Sequence, residues 1–316
     1  MKETEAKLRE HAKALFGQNK IDYLVGFGAA SLRHTTSPLI ITAGDDAGLL
    51  VLDRFIVNNL SVYLRRAGGR AGVVLKGCDG RSLVSLIQDK QVKRENVTII
   101  GIHCPSLVDL RKVERLAGRD RDEIKEIRVD GEKITVSCGG GDKIFPAEQV
   151  LFDKCLGCEF PAPPEYDTLL GGPAAARRDK ALSLEPVNKL RELALPERWR
   201  FWQQEFSRCI RCYACRQVCP ACACQRCFVE ETEPRWVSPL PRWEDNLLFQ
   251  VTRTIHVAGR CADCGECERA CPARIPLRSL SRQMTGLVEE MFDYQSGASK
   301  DLPPLMTAYR SEEGEG

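Results

Sequence analysis

The chain has 316 residues, of which 43% are hydrophobic and 28% are charged, and its formal net charge is +2. This composition is typical of a globular protein long enough for two domains, and no apolar stretch reaches the length that a membrane span needs. The nearly balanced charge gives no reason to expect nucleic acid as a partner.

The first half of the chain predicts an α/β domain. Predicted helices cover residues 2–16, 47–66 and 81–89, and predicted strands cover 21–25, 38–42, 71–75 and 97–102. A β-hairpin is expected next, with strands at 126–129 and 133–137 around Asp130-Gly131. Since strands alternate with helices, we expect a mainly parallel sheet with helices packed on it.

The second half predicts a different architecture. We assign residues 1–172 to the α/β domain, the proline- and glycine-containing residues 173–196 to a linker, and residues 197–316 to a mostly α-helical domain. Helices are predicted at 197–207, 243–257 and 279–292. The last residues, from 301 onward, are expected to form an extended tail.

Two cysteine runs in the second domain share the pattern C-x2-C-x2-C-x3-C-P. In this pattern three thiolates bind one cubane cluster and the fourth binds a neighbouring cluster. The pattern predicts one [4Fe-4S] cluster held by Cys209, Cys212, Cys215 and Cys271, and a second held by Cys261, Cys264, Cys267 and Cys219. Structural zinc sites use separated C-x2-C pairs or Cys/His mixtures, so the spacing favours iron–sulfur clusters over zinc.

The cysteine content also indicates a compartment. The charged first ten residues include no apolar segment of a secretory signal, so we expect a cytoplasmic protein. Such a chain keeps its 16 cysteines for metal or redox chemistry and not for disulfides.

A further cysteine set lies in the first half. Cys78 and Cys104 follow two neighbouring strands, whose ends meet at one edge of a parallel sheet, and Cys155 and Cys158 form a C-x2-C pair. The four could hold a third [4Fe-4S] cluster; the alternative is two buried thiols beside a zinc-binding or vestigial pair.

The segment from Lys76 to Ser82 joins a predicted strand to a predicted helix. Backbone amides at the helix start, with Lys76, Arg81 and Ser82, could bind a pyrophosphate. The alternative is a tight turn with an ordinary helix cap. Asn58 and Asn59, in the middle of a predicted helix, could face the same crevice.

Four cysteines stay outside these assignments. Cys138 ends a hairpin strand and is expected to be a small buried residue. Cys222, Cys224 and Cys227 could be ligands of another site or alternates that compete with Cys219.

Several of these segments resemble one family. Val57–Leu60, Lys76–Asp79, Gly101–Cys104, Cys155–Cys158 and Tyr166-Asp167 are similar to segments of the beta subunits of coenzyme F-420-reducing hydrogenase and of related formate dehydrogenases. The resemblance covers roughly residues 20–172, and the ferredoxin module is common in formate dehydrogenase beta chains.

The resemblance implies FAD in the α/β domain, beside a [4Fe-4S] cluster on Cys78, Cys104, Cys155 and Cys158. It also implies that Asn59, Lys76, Asp79 and Arg81 lie near the flavin, and we expect Gly26-Phe27-Gly28 to form a loop near it.

The expected function is that of an iron–sulfur flavoprotein subunit of a multi-subunit redox complex. Expected partners are a catalytic subunit of formate dehydrogenase or hydrogenase type, a heterodisulfide-reductase-like subunit and a soluble electron carrier. The alternative is a pure electron-transfer adaptor without substrate or flavin of its own.

Overall fold

The chain divides into two units in the computed structural model, which describes residues 1–66, 68–172 and 180–307. The first unit comprises Met1–Gly77 and Glu95–Glu185, and the second comprises Cys78–Arg94 and Pro186–Gly316. The segment Cys78–Arg94, which we had placed in the α/β domain, is therefore grouped with the C-terminal unit.

The elements follow one another in this order. The strands are β1 (Tyr23–Ala29), β2 (Thr36–Thr42), β3 (Ala71–Leu75), β4 (Val97–Ile102), β5 (Ile124–Asp130), β6 (Lys133–Cys138), β7 (Gly141–Pro146) and β8 (Thr168–Leu170). The helices are α1 (Lys2–Gly17), α2 (Gly77–Gln88), α3 (Leu110–Ala117), α4 (Ala147–Val150), α5 (Asp153–Leu156), α6 (Lys180–Glu192), α7 (Leu195–Ser207), α8 (Ala214–Gln217), α9 (Trp243–His256), α10 (Glu266–Arg269) and α11 (Leu277–Phe292).

A five-stranded sheet organises the first unit, in the order β2-β1-β3-β4-β8. Strand β1 pairs antiparallel with β2, whereas the β1–β3, β3–β4 and β4–β8 pairs are parallel. Every residue of β3 is buried, as expected for an inner strand of a parallel sheet. The predicted mainly parallel sheet is confirmed.

A second, antiparallel sheet in the same unit consists of β5, β6 and β7. It includes the predicted hairpin, in which Asp130 pairs with Lys133 and Gly131 has a positive φ of 60°. Val113, Ile134 and Val150 pack in its apolar core, and Cys138 is buried in the same core, as predicted.

The predicted helix over residues 47–66 is wrong. Only Ala47–Leu49 and Leu60–Arg66 are helical, and both are of the 3-10 type. Between them the backbone bonds to other partners: the amide of Val51 donates to Phe27 and that of Leu52 to the Glu5 carboxylate. These distant partners replace the local bonds of a helix.

Gly26-Phe27-Gly28 is also not a loop. It belongs to β1, where Gly26 pairs with Leu39 and Gly28 with Ser37. A Cβ on Gly26 would lie 2.5 Å from the Leu50 side chain, so close packing explains this glycine.

The predicted linker at 173–196 is largely helical. Helix α6 covers Lys180–Glu192 and buries Ser183 and Val187, which are one turn apart, while residues 173–179 lie outside the described part. The described part of the predicted linker therefore includes a helix.

The predicted helices at 197–207, 243–257 and 279–292 are confirmed as α7, α9 and α11. Trp202 and Phe206 of α7 pack with Phe249 of α9 and Leu277 of α11 around three buried cysteines. The described end of the predicted tail includes a 3-10 turn at Leu305–Thr307, and residues 308–316 lie outside the description. No helix in residues 1–66, 68–172 and 180–307 is long and apolar enough for a membrane span.

Candidate iron–sulfur centres

The first predicted ligand set lines a single cavity in the second unit. This cavity has an empty volume of about 310 Å³ and is lined by Cys209, Cys212, Cys215 and Cys271. Three of these cysteines are buried and Cys212 is exposed. The donor set therefore fits a cubane with three ligands from one run and the fourth from the other.

The two cysteine runs also share an unusual backbone conformation. Arg211 and Tyr213, two and four residues after Cys209, have positive φ values of 51° and 58°. Asp263 and Gly265, at the same offsets from Cys261, have φ values of 53° and 70°. A non-glycine residue adopts this region at a cost, so its repetition indicates that both runs form the same cradle.

In the second predicted set, Cys219 is buried, and Cys261 and Cys267 are half-buried. Burial raises the pKa of Cys261, and so do the charges of Asp263 and Cys219. Burial likewise raises the pKa of Cys267, which interacts electrostatically with Cys219 and Cys261. Cys264 is also buried. Cys219 of the first run thus lies with cysteines of the second, as a crossed pair of clusters requires.

Helix α9 places polar side chains against these sulfurs. The amide of Gln250, which is 1% exposed, donates to the sulfurs of Cys209 at 3.8 Å and Cys215 at 3.9 Å. One turn earlier, Asn246 donates to the carbonyl oxygens of Phe206 and Cys209 at 2.9 Å and 2.8 Å. Donors to sulfur stabilise the more negative, reduced state of a cluster.

Arg253 on the same helix lies among sulfurs of both sets. Burial opposes its charge, yet the charges of Cys267, Cys215, Cys219 and Cys222 raise its pKa. The guanidinium is therefore held charged in the interior, where it compensates negative cluster charge.

Three of the four cysteines of the third predicted set meet in the first unit. Burial raises the pKa of Cys104 to about 12; the charges of Cys155 and Cys158 act in the same direction and that of Lys76 in the opposite one. The Cys104 amide donates to the Pro161 carbonyl at 2.7 Å, which fixes the strand end. Cys78, the fourth predicted ligand, begins the segment grouped with the second unit.

The predicted flavin residues in the first unit bond to protein groups. Lys76 is fully buried, donates to the Asn58 carbonyl at 2.8 Å and lies 4.6 Å from the ring centroid of Phe27. The Asn59 side-chain oxygen accepts from the amide and the hydroxyl of Ser61 at 3.2 Å and 2.6 Å.

Asp79, Arg81 and Ser82 bond in a similar way within the second unit. The Arg81 guanidinium donates to the Ser296 carbonyl at 2.7 Å and 3.0 Å, and to the Ala262 carbonyl at 3.3 Å. Asp79 accepts from the Cys78 thiol at 3.5 Å, and Ser82 donates to the Cys78 carbonyl at 2.9 Å. Each of the five side chains predicted to bind the cofactor therefore has at least one hydrogen bond to a protein group.

Within the described ranges, no three His, Cys, Asp or Glu side chains converge as the ligands of a single metal ion. Each thiolate of a cubane binds a different iron, so this observation concerns single ions only.

Comparisons with known proteins agree with the cysteine spacing. Residues 205–275 match the family of 4Fe-4S dicluster domains. The chain is 24% identical over 297 residues to the F420-dependent formate dehydrogenase subunit beta of Methanocaldococcus jannaschii, covering 77% of this chain and 78% of that protein. The predicted resemblance to formate dehydrogenase beta subunits is confirmed.

Further similarities are weaker. The chain is 22% identical over 301 residues to the F420-dependent formate dehydrogenase 1 subunit beta of Methanococcus maripaludis, covering 77% of this chain and 76% of that protein. A chain of the F420-reducing [NiFe] hydrogenase complex from Methanosarcina barkeri superimposes with a TM-score of 0.37 at 15% identity, over 60% of this chain and 71% of that one. This last likeness is too small to support an argument.

Sequence reasoning missed the polar residues of α9. Asn246, Gln250 and Arg253 recur at helical spacing between the two cysteine runs, and all three are buried. A buried polar stripe on a helix beside metal ligands is the signal that could have identified them.

Proposed function

We propose that this chain is an iron–sulfur electron-transfer subunit of a formate dehydrogenase-type redox complex. The observation that carries the proposal is the cavity lined by Cys209, Cys212, Cys215 and Cys271, which brings ligands from both runs to one place. The dicluster match over residues 205–275 and the names of the relatives support it.

The chain's own residues would set the properties of these centres. When bound, a cubane exchanges single electrons. The buried Gln250 amide donates to two thiol sulfurs, and the buried Arg253 compensates charge between the two ligand sets. Burial of Cys209, Cys215 and Cys271 limits access of water to the first site.

Helix α2 contacts the second ligand set within the second unit. Arg81 lies one turn after Cys78, and its guanidinium donates to the carbonyl of Ala262, the neighbour of Cys261. Burial lowers the pKa of Arg81, whereas the charges of Asp263, Cys261 and Cys78 act in the opposite direction. Both thiols therefore lie within electrostatic reach of one guanidinium.

A third cluster is part of the proposal. Its proposed ligands are Cys78, Cys104, Cys155 and Cys158, as the cysteine spacing and the resemblance imply. Within the first unit, the charges of Cys155 and Cys158 act on the Cys104 thiol.

FAD and the partners are proposed from the resemblance alone. The partners would be a catalytic subunit of formate dehydrogenase or hydrogenase type, a heterodisulfide-reductase-like subunit and a soluble electron carrier. Lys76, Asn59 and Arg81, which are predicted to lie near the flavin, form hydrogen bonds with protein groups.

That bonding favours a second candidate function, the adaptor without flavin. In this case the first unit would be a scaffold that presents the clusters. Flavin content separates the two candidates: about one FAD per chain supports the flavoprotein, and its absence from anaerobically purified protein supports the adaptor.

Iron content of the full chain tests the electron-transfer proposal. Cys267→Ala should lose about four iron per chain. The matched control is Cys138→Ala, since Cys138 lies in the core of the first unit. Equal iron in both variants, or zinc in place of iron in the parent chain, would overturn the proposal.

A further inference from the structure

Three cysteines without an assigned role line one cavity of the second unit. Cys222, Cys224 and Cys227 surround an empty volume of about 380 Å³, together with His256 at the end of α9. This cavity is similar in volume to the one lined by the first ligand set, and Phe249 lines both. The cysteine spacing is C-x-C-x2-C, directly after Cys219-Pro220.

A buried cationic group also belongs to the wall of the cavity. Arg253 lines it and is only 4% exposed, and its Nη2 atom is buried without a hydrogen-bond partner. A buried, unpartnered guanidinium nitrogen is costly, and an anionic group inside the cavity would satisfy it.

Two more arginines that line the cavity form ion pairs. Arg216 bonds to Glu230 at 2.8 Å and Arg260 to Asp89 at 3.4 Å. The Glu230 carboxylate also accepts from the Cys227 amide at 2.9 Å, which holds Cys227 at the cavity wall. The position of this cysteine is therefore set by an ion-paired carboxylate.

We propose that this cavity holds an additional iron–sulfur cluster, bound by Cys222, Cys224, Cys227 and His256. Three thiolates and one imidazole are soft and borderline donors suited to iron in a sulfide cluster. The anionic cluster would accept a hydrogen bond from Arg253 Nη2 and balance its charge. The site is separate from the eight cysteines of the two runs.

The arrangement also explains why Cys222 is not simply a spare ligand. Cys222 lines the cavity together with Cys224 and Cys227. Cys224 and Cys227 line the cavity without belonging to either cysteine run. If these cysteines served only to replace Cys219 as a ligand, Cys222 alone would be enough. A cluster in the cavity would use Cys222, Cys224 and Cys227 together.

The test measures iron and acid-labile sulfide in the full chain after anaerobic purification. Cys224→Ala and Cys227→Ala should each lose about four iron per chain, and the control Cys138→Ala none. Unchanged iron in both cavity variants would overturn the cluster. About one zinc per parent chain, lost in Cys224→Ala, would overturn it in favour of zinc.

The histidine ligand is tested by spectroscopy. His256→Cys should retain iron and change the electron paramagnetic resonance signal of one reduced cluster, because thiolate replaces imidazole. A signal identical to that of the parent chain would overturn the His256 assignment. Failure of the proposed function would appear instead as retained iron in Cys267→Ala, so the two outcomes are distinguishable.

Discussion

The side-chain amide of Gln250 donates to the sulfur of Cys209, across a distance of 3.8 Å inside the core of the second unit. The same amide reaches Cys215 at 3.9 Å, so a single donor serves two ligands of the first predicted cluster. Gln250 is held there by α9, whose Asn246 bonds to the Cys209 carbonyl. Helix α9 thus fixes both the position of Cys209 and the hydrogen bond to its sulfur.

Gln250→Leu should lower the reduction potential of the first cluster, because the reduced form loses its donors. A loss of about 1 kcal/mol corresponds to roughly 40 mV for one electron. Potentiometric titration followed by electron paramagnetic resonance measures the shift. Gln203→Leu on α7 is the control, and an equal potential in both variants would contradict the role of Gln250.

Arg81→Met should destabilise the second unit and leave cofactor content unchanged. The guanidinium donates to the carbonyls of Ser296 and Ala262. Methionine leaves both buried carbonyl groups without a donor, which should lower the free energy of unfolding by about 2–4 kcal/mol. The unfolding midpoint in denaturant measures this, with the exposed Arg200→Met as control.

A loss of flavin without a loss of stability would support the prediction that Arg81 lies near a flavin. Loss of flavin from Arg81→Met, with an unfolding midpoint equal to that of Arg200→Met, would indicate contact with a cofactor and not a structural role.

The cysteine spacing predicted a ligand set that the structure brings to one cavity. A chemical constraint makes this prediction possible, because the pattern leaves few ways to arrange four thiolates around a cubane. Cys271, which lies in the second run, lines the cavity of the first, as the pattern requires. The polar residues of α9 were missed because their spacing is also that of a solvated helix face, and only burial distinguishes the two.

The failed helix at 47–66 has a different cause. Its apolar spacing is helical, but Asp53 and Asn59 accept hydrogen bonds from backbone amides two residues ahead, which favours turns. Glu5 then accepts from the Leu52 amide across a separation of 47 residues. Such long-range bonds are not visible in a local pattern.

Gly297→Ala should destabilise the second unit by about 2–4 kcal/mol. Gly297 has a positive φ of 66°, and an added Cβ would lie 2.0 Å from the Arg81 carbonyl oxygen, a backbone atom that cannot rotate away. Gly286→Ala in α11 is the matched control, because nothing lies within 4 Å of its added Cβ. In a helix that change should be neutral or stabilise by up to about 1 kcal/mol. Similar unfolding midpoints for the two variants would contradict the close packing at Gly297.

Asp109→Asn should stabilise the first unit in a pH-dependent way. Burial raises the pKa of the Asp109 carboxyl above its ordinary value of 3.8, although the amide of Arg111 and the charges of Lys112 and Arg111 act in the opposite direction. The folded chain therefore holds this proton more tightly than the unfolded chain. Stability is lost as the pH rises from the ordinary pKa through the raised one.

Asparagine removes this loss and keeps the helix cap, because its side-chain oxygen can accept from the Arg111 amide as Asp109 does at 3.0 Å. The gain in melting temperature over the parent chain should grow with pH and become constant above the raised pKa. Asp120→Asn, at an exposed position, provides the control. A gain that is the same at every pH would show that the carboxyl of Asp109 titrates alike in the folded and unfolded chains, and would contradict the raised pKa on which the prediction depends.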